Sequence, residues 1–248
     1  MVRAILFDLG DTLLDFQPLD TKSIVKNGAR DSYQRLEQVG CKLPSLKRYH
    51  NANVRAVKLG LILAKLRGQE FNLLNMMRRR TARLGAPDTD QFMHEVGWLW
   101  YKHVVPYSSI EPDLVSTLQV LRNAGLKLGI VSNTFVGGVL LDRHLQVMGL
   151  LDYFPVRIYS CEFGVCKPNP RIFKEALSAI GMRPQETMFV GDVVKNDVIG
   201  AGRLGMTTVL KQPRSMAPKH PIANHLIRRI SDLLPIVLPA SEVAATRA

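Results

Sequence analysis

Five short apolar segments recur along this sequence, and stretches with helical periodicity separate them. Segments of this length that alternate with helices predict parallel β-strands joined by helical crossovers. Because such crossovers are right-handed, the helices have to cover both faces of the sheet. The sequence therefore predicts an α/β protein with a three-layer, Rossmann-like parallel sheet. The apolar segments are 3–7, 127–131, 156–159, 187–190 and 206–210.

A block without a clear strand interrupts this alternation directly after the first apolar segment. Apolar residues there recur at helical spacing, as Val54, Val57, Leu61 and Ala64 do. We predict that residues 16–106 form an inserted all-helical domain. The α/β core would then comprise residues 1–15 and 107–238, and residues 239–248 would form a frayed tail.

Polar clusters follow several of the predicted strands. Since parallel strands end at one edge of a sheet, we expect these clusters to meet there, where open α/β sheets bind ligands. Together, these clusters would bring three carboxylates, a hydroxyl and an ammonium group into one site. A divalent cation is the simplest compensation for clustered carboxylates, and carboxylate oxygens suit Mg²⁺. The clusters are Asp8 to Thr12, Ser132 with Asn133, Lys167 with Pro168, and Asp192 with Asp197.

The same clusters, taken in order, resemble the four motifs of the haloacid dehalogenase-like hydrolase superfamily. The strand ending Phe7-Asp8-Leu9-Gly10-Asp11-Thr12 matches the first motif, and Ile130-Val131-Ser132-Asn133 matches the second. Lys167 before a helix matches the third, and Gly191-Asp192 with Asp197 matches the fourth. The helical insertion after the first motif corresponds to the family's cap domain.

This resemblance implies a Mg²⁺-dependent phosphatase that forms an aspartyl-phosphate on Asp8. Lys167 would bind the transferring phosphoryl group and restrain Asp8. The metal site would comprise Asp8, the backbone carbonyl of Gly10, Asp192 and Asp197. The substrate-binding residues would be Thr12, Ser132, Asn133 and Lys167, with Ser132 and Asn133 at the start of a helix.

The sequence departs from the family's pattern at Gly10. Most phosphatases of the family carry there an aspartate that protonates the leaving group, and the loss of a general acid costs about 10²–10⁴ in rate. Asp11 is a possible substitute acid, although an ordinary role in the turn is the alternative. Esters with good leaving groups would suffer least from the change.

Three alternatives remain open. A metal-independent dehalogenase would also lack the second acid, but the paired acids Asp192 and Asp197 favour a phosphatase. A phosphonate hydrolase would need a cap lysine that the sequence does not single out. A catalytically weak binding protein could use the basic segment Lys42–Arg83, which carries eleven basic residues and one acid, on RNA or an anionic surface.

The composition indicates the cellular compartment in which the protein is expected. No apolar run approaches the ~20 residues that span a bilayer, and the N-terminus lacks the order of a signal peptide. Three cysteines, an odd number, favour a reducing compartment. We therefore expect a cytoplasmic protein with a small phosphorylated substrate and no membrane span. Nucleic acid is not expected as a partner, and the oligomeric state is not readable.

Overall fold

The structure is a computed structural model that describes residues 1–67, 70–212 and 223–239. By its internal contacts the chain divides into two compact units. The α/β unit comprises Met1–Asp15, Ser109–Asn133 and Leu145–Ala248, and the helical unit comprises Phe16–Ser108 and Thr134–His144. Thr134–His144 thus group with the helical unit, whereas the sequence analysis assigns them to the core. The expected frayed tail lies outside the described residues, except for Pro239.

Eight strands occur in the described residues, and six of them form one parallel sheet in the order β5-β4-β1-β6-β7-β8. Helices flank this sheet, so the predicted α/β class is confirmed. The strands are β1 (Ala4–Phe7), β2 (Asp15–Phe16), β3 (Ser108–Ser109), β4 (Lys127–Ser132), β5 (Val156–Tyr159), β6 (Thr187–Gly191), β7 (Thr207–Lys211) and β8 (His225–Ile227).

The helices include every long one that the periodicity predicts. They are α1 (Thr21–Gln38), α2 (Leu46–Arg67), α3 (Leu73–Ala82), α4 (Asp90–Tyr101), α5 (Leu114–Asn123), α6 (Gly138–Val147), α7 (Ser160–Phe163), α8 (Pro170–Ile180), α9 (Ile199–Gly202) and α10 (Leu234–Val237). One predicted helix, 198–204, is different: a π-helical turn at Val194–Val198 precedes a single α-helical turn, α9.

Three of the strands were not predicted from the sequence. The strands β2 and β3 are only two residues long and form a separate two-stranded sheet, and β8 has three residues. The segment 206–210 was predicted to be the last strand, and this prediction is wrong, because β8 follows it. Strands this short contain too few residues to show an alternating pattern.

The strand β1 lies at the centre of the parallel sheet because both of its faces are apolar. Ala4 and Leu6 pack in the cluster that the helix α8 forms with β4 and β6, while Phe7 meets Phe154 edge-on. All four residues of β1 are fully buried. Burial on both faces is typical of a parallel sheet with helices on each side, and it holds the end of β1 rigidly.

The helical unit has a core of its own. Ala29 and Leu36 of α1, Met77 of α3, and Phe92 and Val96 of α4 pack together in it. The helices α1 and α4 approach closely at one glycine. A Cβ on Gly28 would lie 3.0 Å from the Cα of Trp100, so a larger residue there would push the helices apart.

Candidate active site

The carboxyl ends of β1, β4 and β6 bring the predicted site residues to one edge of the parallel sheet. Asp8 follows β1, Ser132 ends β4, and Asp192 follows β6. Because β1 pairs in parallel with both β4 and β6, these three residues leave the sheet on the same side. The meeting of the clusters that the strand pattern predicts is therefore present in the structure.

The loop that carries Asp8 is a tight turn held by backbone hydrogen bonds. The Asp8 amide donates to the carbonyl of Val190 at 2.8 Å, and the amides of Leu13 and Leu14 both donate to the carbonyl of Leu9. Asp11 has a φ of 54°, in the left-handed region that aspartate tolerates better than most residues, and its amide donates to the carbonyl of Leu14 at 2.7 Å. These bonds fix the path of residues 8–14.

Lys167 lies between two carboxylates. Its Nζ is 2.8 Å from Oδ1 of Asp8 and 2.7 Å from Oδ1 of Asp197, and only 1% of the lysine side chain is exposed. Burial by itself would lower the pKa of Lys167, but the charges of Asp8 and Asp197 outweigh burial and hold the pKa above its ordinary value. Lys167 is therefore a fixed, protonated contact of Asp8.

The backbone of Lys167 is clamped by a side chain from the end of β4. Nδ2 of Asn133 donates to the carbonyl of Lys167 at 2.9 Å, and the amide of Lys167 donates to Oδ1 of Asn133 at 2.7 Å. Asn133 is predicted as a substrate-binding residue, and this clamp on Lys167 was not predicted. The sequence analysis also places Ser132 and Asn133 at a helix start, which is wrong, because the next helix, α6, begins at Gly138.

Asp197 is held on both carboxylate oxygens. While Oδ1 faces Lys167, Oδ2 accepts a hydrogen bond from the Val193 amide at 2.9 Å. The side chain is 1% exposed, and it fills the space beside Gly191, where a Cβ would lie 2.4 Å from the Asp197 carboxyl carbon. A residue without a side chain at position 191 is thus required for Asp197 to reach Lys167.

Asp192 completes a group of three carboxylates. One oxygen each of Asp8, Asp192 and Asp197 lie within 4.8 Å of one another. Burial, followed by the charges of Asp8 and Asp197, raises the pKa of Asp192 to about 7. Three carboxylates against one lysine leave excess negative charge, and an all-oxygen donor set with such an excess fits a hard divalent cation.

The remaining predicted residues lie around this group. Thr12 is fully buried, and its hydroxyl donates to Oδ1 of Asp192 at 3.4 Å. Ser132 is buried at the end of β4, and Gly10 is half-buried and bridges to Leu14. Asp11 is exposed, and its charge contributes to the raised pKa of Asp192, which places it near the site.

Comparison with known proteins shows the family of the chain. Residues 2–205 match the haloacid dehalogenase-like hydrolase family, and the chain belongs to that family. It is 29% identical over 211 residues to a glyceraldehyde 3-phosphate phosphatase of Methanopyrus kandleri, covering 84% of this chain and 83% of the relative. It is 27% identical over 240 residues to a phosphoglycolate phosphatase of Aquifex aeolicus, covering 95% and 97%.

Solved structures give the same fold. A phosphatase of the family from Thermococcus onnurineus superposes with a TM-score of 0.60 at 25% identity, covering 95% of this chain and 98% of the other. A 2-haloacid dehalogenase from Pseudomonas syringae gives 0.61 at 21% identity, with full coverage of both chains, and shows the fold alone. The family and its phosphatase relatives identify this chain as a phosphoric monoester hydrolase.

Two further findings concern membrane-spanning helices and the basic segment. Among residues 1–67, 70–212 and 223–239, no helix is long and apolar enough to cross a membrane. In the basic segment Lys42–Arg83, Arg78 is paired with Asp88 and Asp90, so acids beyond the segment neutralise part of its charge.

Proposed function

We propose that this chain is a Mg²⁺-dependent phosphatase that hydrolyses a small phosphomonoester through an aspartyl-phosphate intermediate. The observation that carries the proposal is the position of Lys167 between Asp8 and Asp197, with Nζ–Oδ1 distances of 2.8 Å and 2.7 Å. A carboxylate at the end of a central strand, restrained by a buried ammonium, is suited to nucleophilic attack because it is preorganised.

In the proposed first step, an oxygen of Asp8 attacks phosphorus and forms the P–O bond of an acyl phosphate, while the bond to the ester oxygen breaks. Lys167 neutralises negative charge on the phosphoryl oxygens, and Thr12, Ser132 and Asn133 line the place where those oxygens would lie. In the second step, water attacks phosphorus, releases inorganic phosphate and regenerates the carboxylate of Asp8.

Mg²⁺ would be held by Asp8, Asp192 and the Gly10 carbonyl, with Asp197 at the side of the site that faces Lys167. When bound, the ion would offset the repulsion between the Asp8 carboxylate and an anionic phosphate. The excess of carboxylates over lysine supports this assignment.

The leaving alkoxide has to be protonated or to leave unaided, since Gly10 carries no acid. Asp11 is the proposed substitute, and its exposure and left-handed backbone leave its role in the turn as the alternative. The relatives named above act on glyceraldehyde 3-phosphate and phosphoglycolate, so we propose a small phosphorylated metabolite as the substrate. The helical unit, as a cap, would select it.

The test is hydrolysis of p-nitrophenyl phosphate and of acetyl phosphate, with Mg²⁺ and with EDTA. We expect metal-dependent turnover that Asp8→Asn abolishes and that the surface control Asp152→Asn retains. Turnover that survives Asp8→Asn contradicts the proposal. Absence of phosphate release, together with metal-independent halide release from 2-chloropropionate, would instead support the dehalogenase alternative.

A further inference from the structure

A second buried lysine, Lys211, contacts the loop that carries Asp8. Lys211 is the last residue of β7, and its side chain is 8% exposed. Its Nζ donates to the backbone carbonyl of Thr12 at 2.7 Å and lies 2.9 Å from Oε1 of Glu111 and 3.3 Å from Oδ1 of Asp15. The shortest of these three contacts is the one to the loop.

The anchor of this lysine is itself fixed. The Glu111 side chain is 11% exposed, and its second oxygen accepts a hydrogen bond from the amide of Ile230 at 2.8 Å. Ile230 is fully buried at the start of the 3₁₀-helix Ile230–Leu233. Lys211 therefore joins the loop to a rigid part of the α/β unit, because neither the carboxylate nor the amide behind it is free to move.

Thr12 links Lys211 to the candidate active site through two hydrogen bonds. Its carbonyl accepts from Lys211, and its hydroxyl donates to Oδ1 of Asp192 at 3.4 Å. Thr12 is fully buried, so it has little freedom to change either contact independently. A displacement of the Thr12 backbone would therefore alter the placement of Asp192 and of the turn that begins at Asp8.

We propose that Lys211 is a positioning residue that holds the loop Asp8–Leu14 in its active geometry and, through Thr12, orients Asp192. The consequence for catalysis rests on the function proposed above, whereas the consequence for the loop does not. Lys211 touches no reacting atom. It acts by holding the backbone carbonyl of Thr12, which lies in a turn outside the strands.

The first arm of the test measures the loop itself. Hydrogen–deuterium exchange is followed by mass spectrometry on peptides covering Asp8–Leu14 in wild type, Lys211→Met and Lys211→Arg. We expect the loop to exchange at least tenfold faster in Lys211→Met and less so in Lys211→Arg, which keeps a donor. Lys127→Met is the control for the loss of a hydrogen bond from lysine to a backbone carbonyl, because Nζ of the more exposed Lys127 donates to the carbonyl of Ile180, away from the site.

The second arm distinguishes two possible roles of Lys211: holding the loop in position, and neutralising the charge of Glu111. Glu111→Gln removes the charge but keeps one side-chain oxygen that can accept from Nζ of Lys211, which can still donate to Thr12. We expect Lys211→Met to lower kcat for p-nitrophenyl phosphate by about 10- to 100-fold with little change in KM, since the reacting groups are misplaced while substrate contacts remain. Glu111→Gln should retain most of kcat, and Lys211→Arg should restore part of it.

The proposal is overturned if Lys211→Met leaves loop exchange unchanged, if exchange rises equally throughout the sheet, or if Glu111→Gln reproduces the full loss in kcat. A wild type without phosphatase activity would refute the proposed function alone, because loop exchange still decides whether Lys211 holds the loop.

Discussion

Lys167 and Asp197 form an ion pair in which Nζ and Oδ1 are 2.7 Å apart and each side chain is 1% exposed. The same ammonium is shared with Asp8 at 2.8 Å. A buried charge that loses its partner is far more costly than an exposed one, so this pair couples the stability of the α/β unit to the geometry of the candidate nucleophile.

Asp197→Asn should lower the free energy of unfolding by about 3 kcal/mol, because Lys167 keeps Asp8 but loses its second buried carboxylate. Urea denaturation measures the change. The matched control is Arg183→Gln, which breaks the pair with Glu186 where the arginine side chain is 79% exposed, and its unfolding midpoint should stay near that of wild type. Equal midpoint shifts in the two variants would contradict the prediction.

Gly191→Ala should impair both folding and activity. The new Cβ would lie 2.4 Å from the carboxyl carbon of Asp197, which cannot retreat because Lys167 and Val193 hold it. We expect a loss of about 1–3 kcal/mol in unfolding free energy and a large fall in kcat. Gly202→Ala is the control: among the described residues its Cβ would meet Thr208 alone, at 3.7 Å, so stability should be unchanged or higher. If both variants behave alike, the Gly191 contact does not limit the site.

Gly10→Asp should favour substrates with poor leaving groups. The backbone at Gly10 is not in the left-handed region, so a side chain there is not strained on that account. We expect the rate on an alkyl phosphate such as glycerol 2-phosphate to rise about 10- to 100-fold more than the rate on p-nitrophenyl phosphate, because only the alkoxide needs an acid.

Asp11→Asn serves as the comparison for Gly10→Asp, since asparagine also tolerates a φ of 54°. A selective loss on the alkyl phosphate would identify Asp11 as the substitute acid, and equal retention on both substrates would assign it to the turn. A uniform change on both substrates in Gly10→Asp would argue against a missing acid.

His144 should make the chain less stable in mild acid. Its ring is fully buried, with Nδ1 2.9 Å from the Tyr101 hydroxyl and Nε2 2.7 Å from the Ser108 hydroxyl. The Ser108 hydroxyl donates to the carbonyl of Val105, so it accepts from Nε2–H, and in the neutral ring Nδ1 accepts from the Tyr101 hydroxyl. Burial lowers the pKa of His144 to about 4, from 6.5 when unfolded.

Because the unfolded chain binds this proton more readily, the stability that neutral His144 contributes is complete above pH 6.5 and is lost as the pH falls towards 4. The loss should reach about 3 kcal/mol. Urea titrations between pH 7 and pH 4 measure it, and His144→Gln should remove that part of the slope while leaving the slope due to carboxylates. Identical slopes for the two proteins would contradict the prediction.

Local patterns sufficed for much of the fold. The predicted helix 170–180 coincides with α8, because Asn169 caps its start, Pro170 suits its first turn, and Gly181 ends it with a φ of 67°. The strand β6 agrees within one residue because Thr187, Phe189 and Val190 are β-prone and the whole strand is buried. The π-helical turn at Val194–Val198 was missed; it contains Asp197, whose ion-pair partner Lys167 lies far from it in the sequence.

The sequence by itself determined the class of the fold, the edge of the sheet where the polar residues meet, and the glycine that replaces the usual acid. The first two follow from periodicity and from the ends of strands, which are local properties, and the third follows from the resemblance to the family's first motif. Only the tertiary structure decided which side chains hold the site together. Asn133 clamps a residue 34 positions away, and Lys211 reaches a carbonyl 199 positions away. Such contacts depend on how crossovers bring distant segments side by side, and no local pattern carries that information.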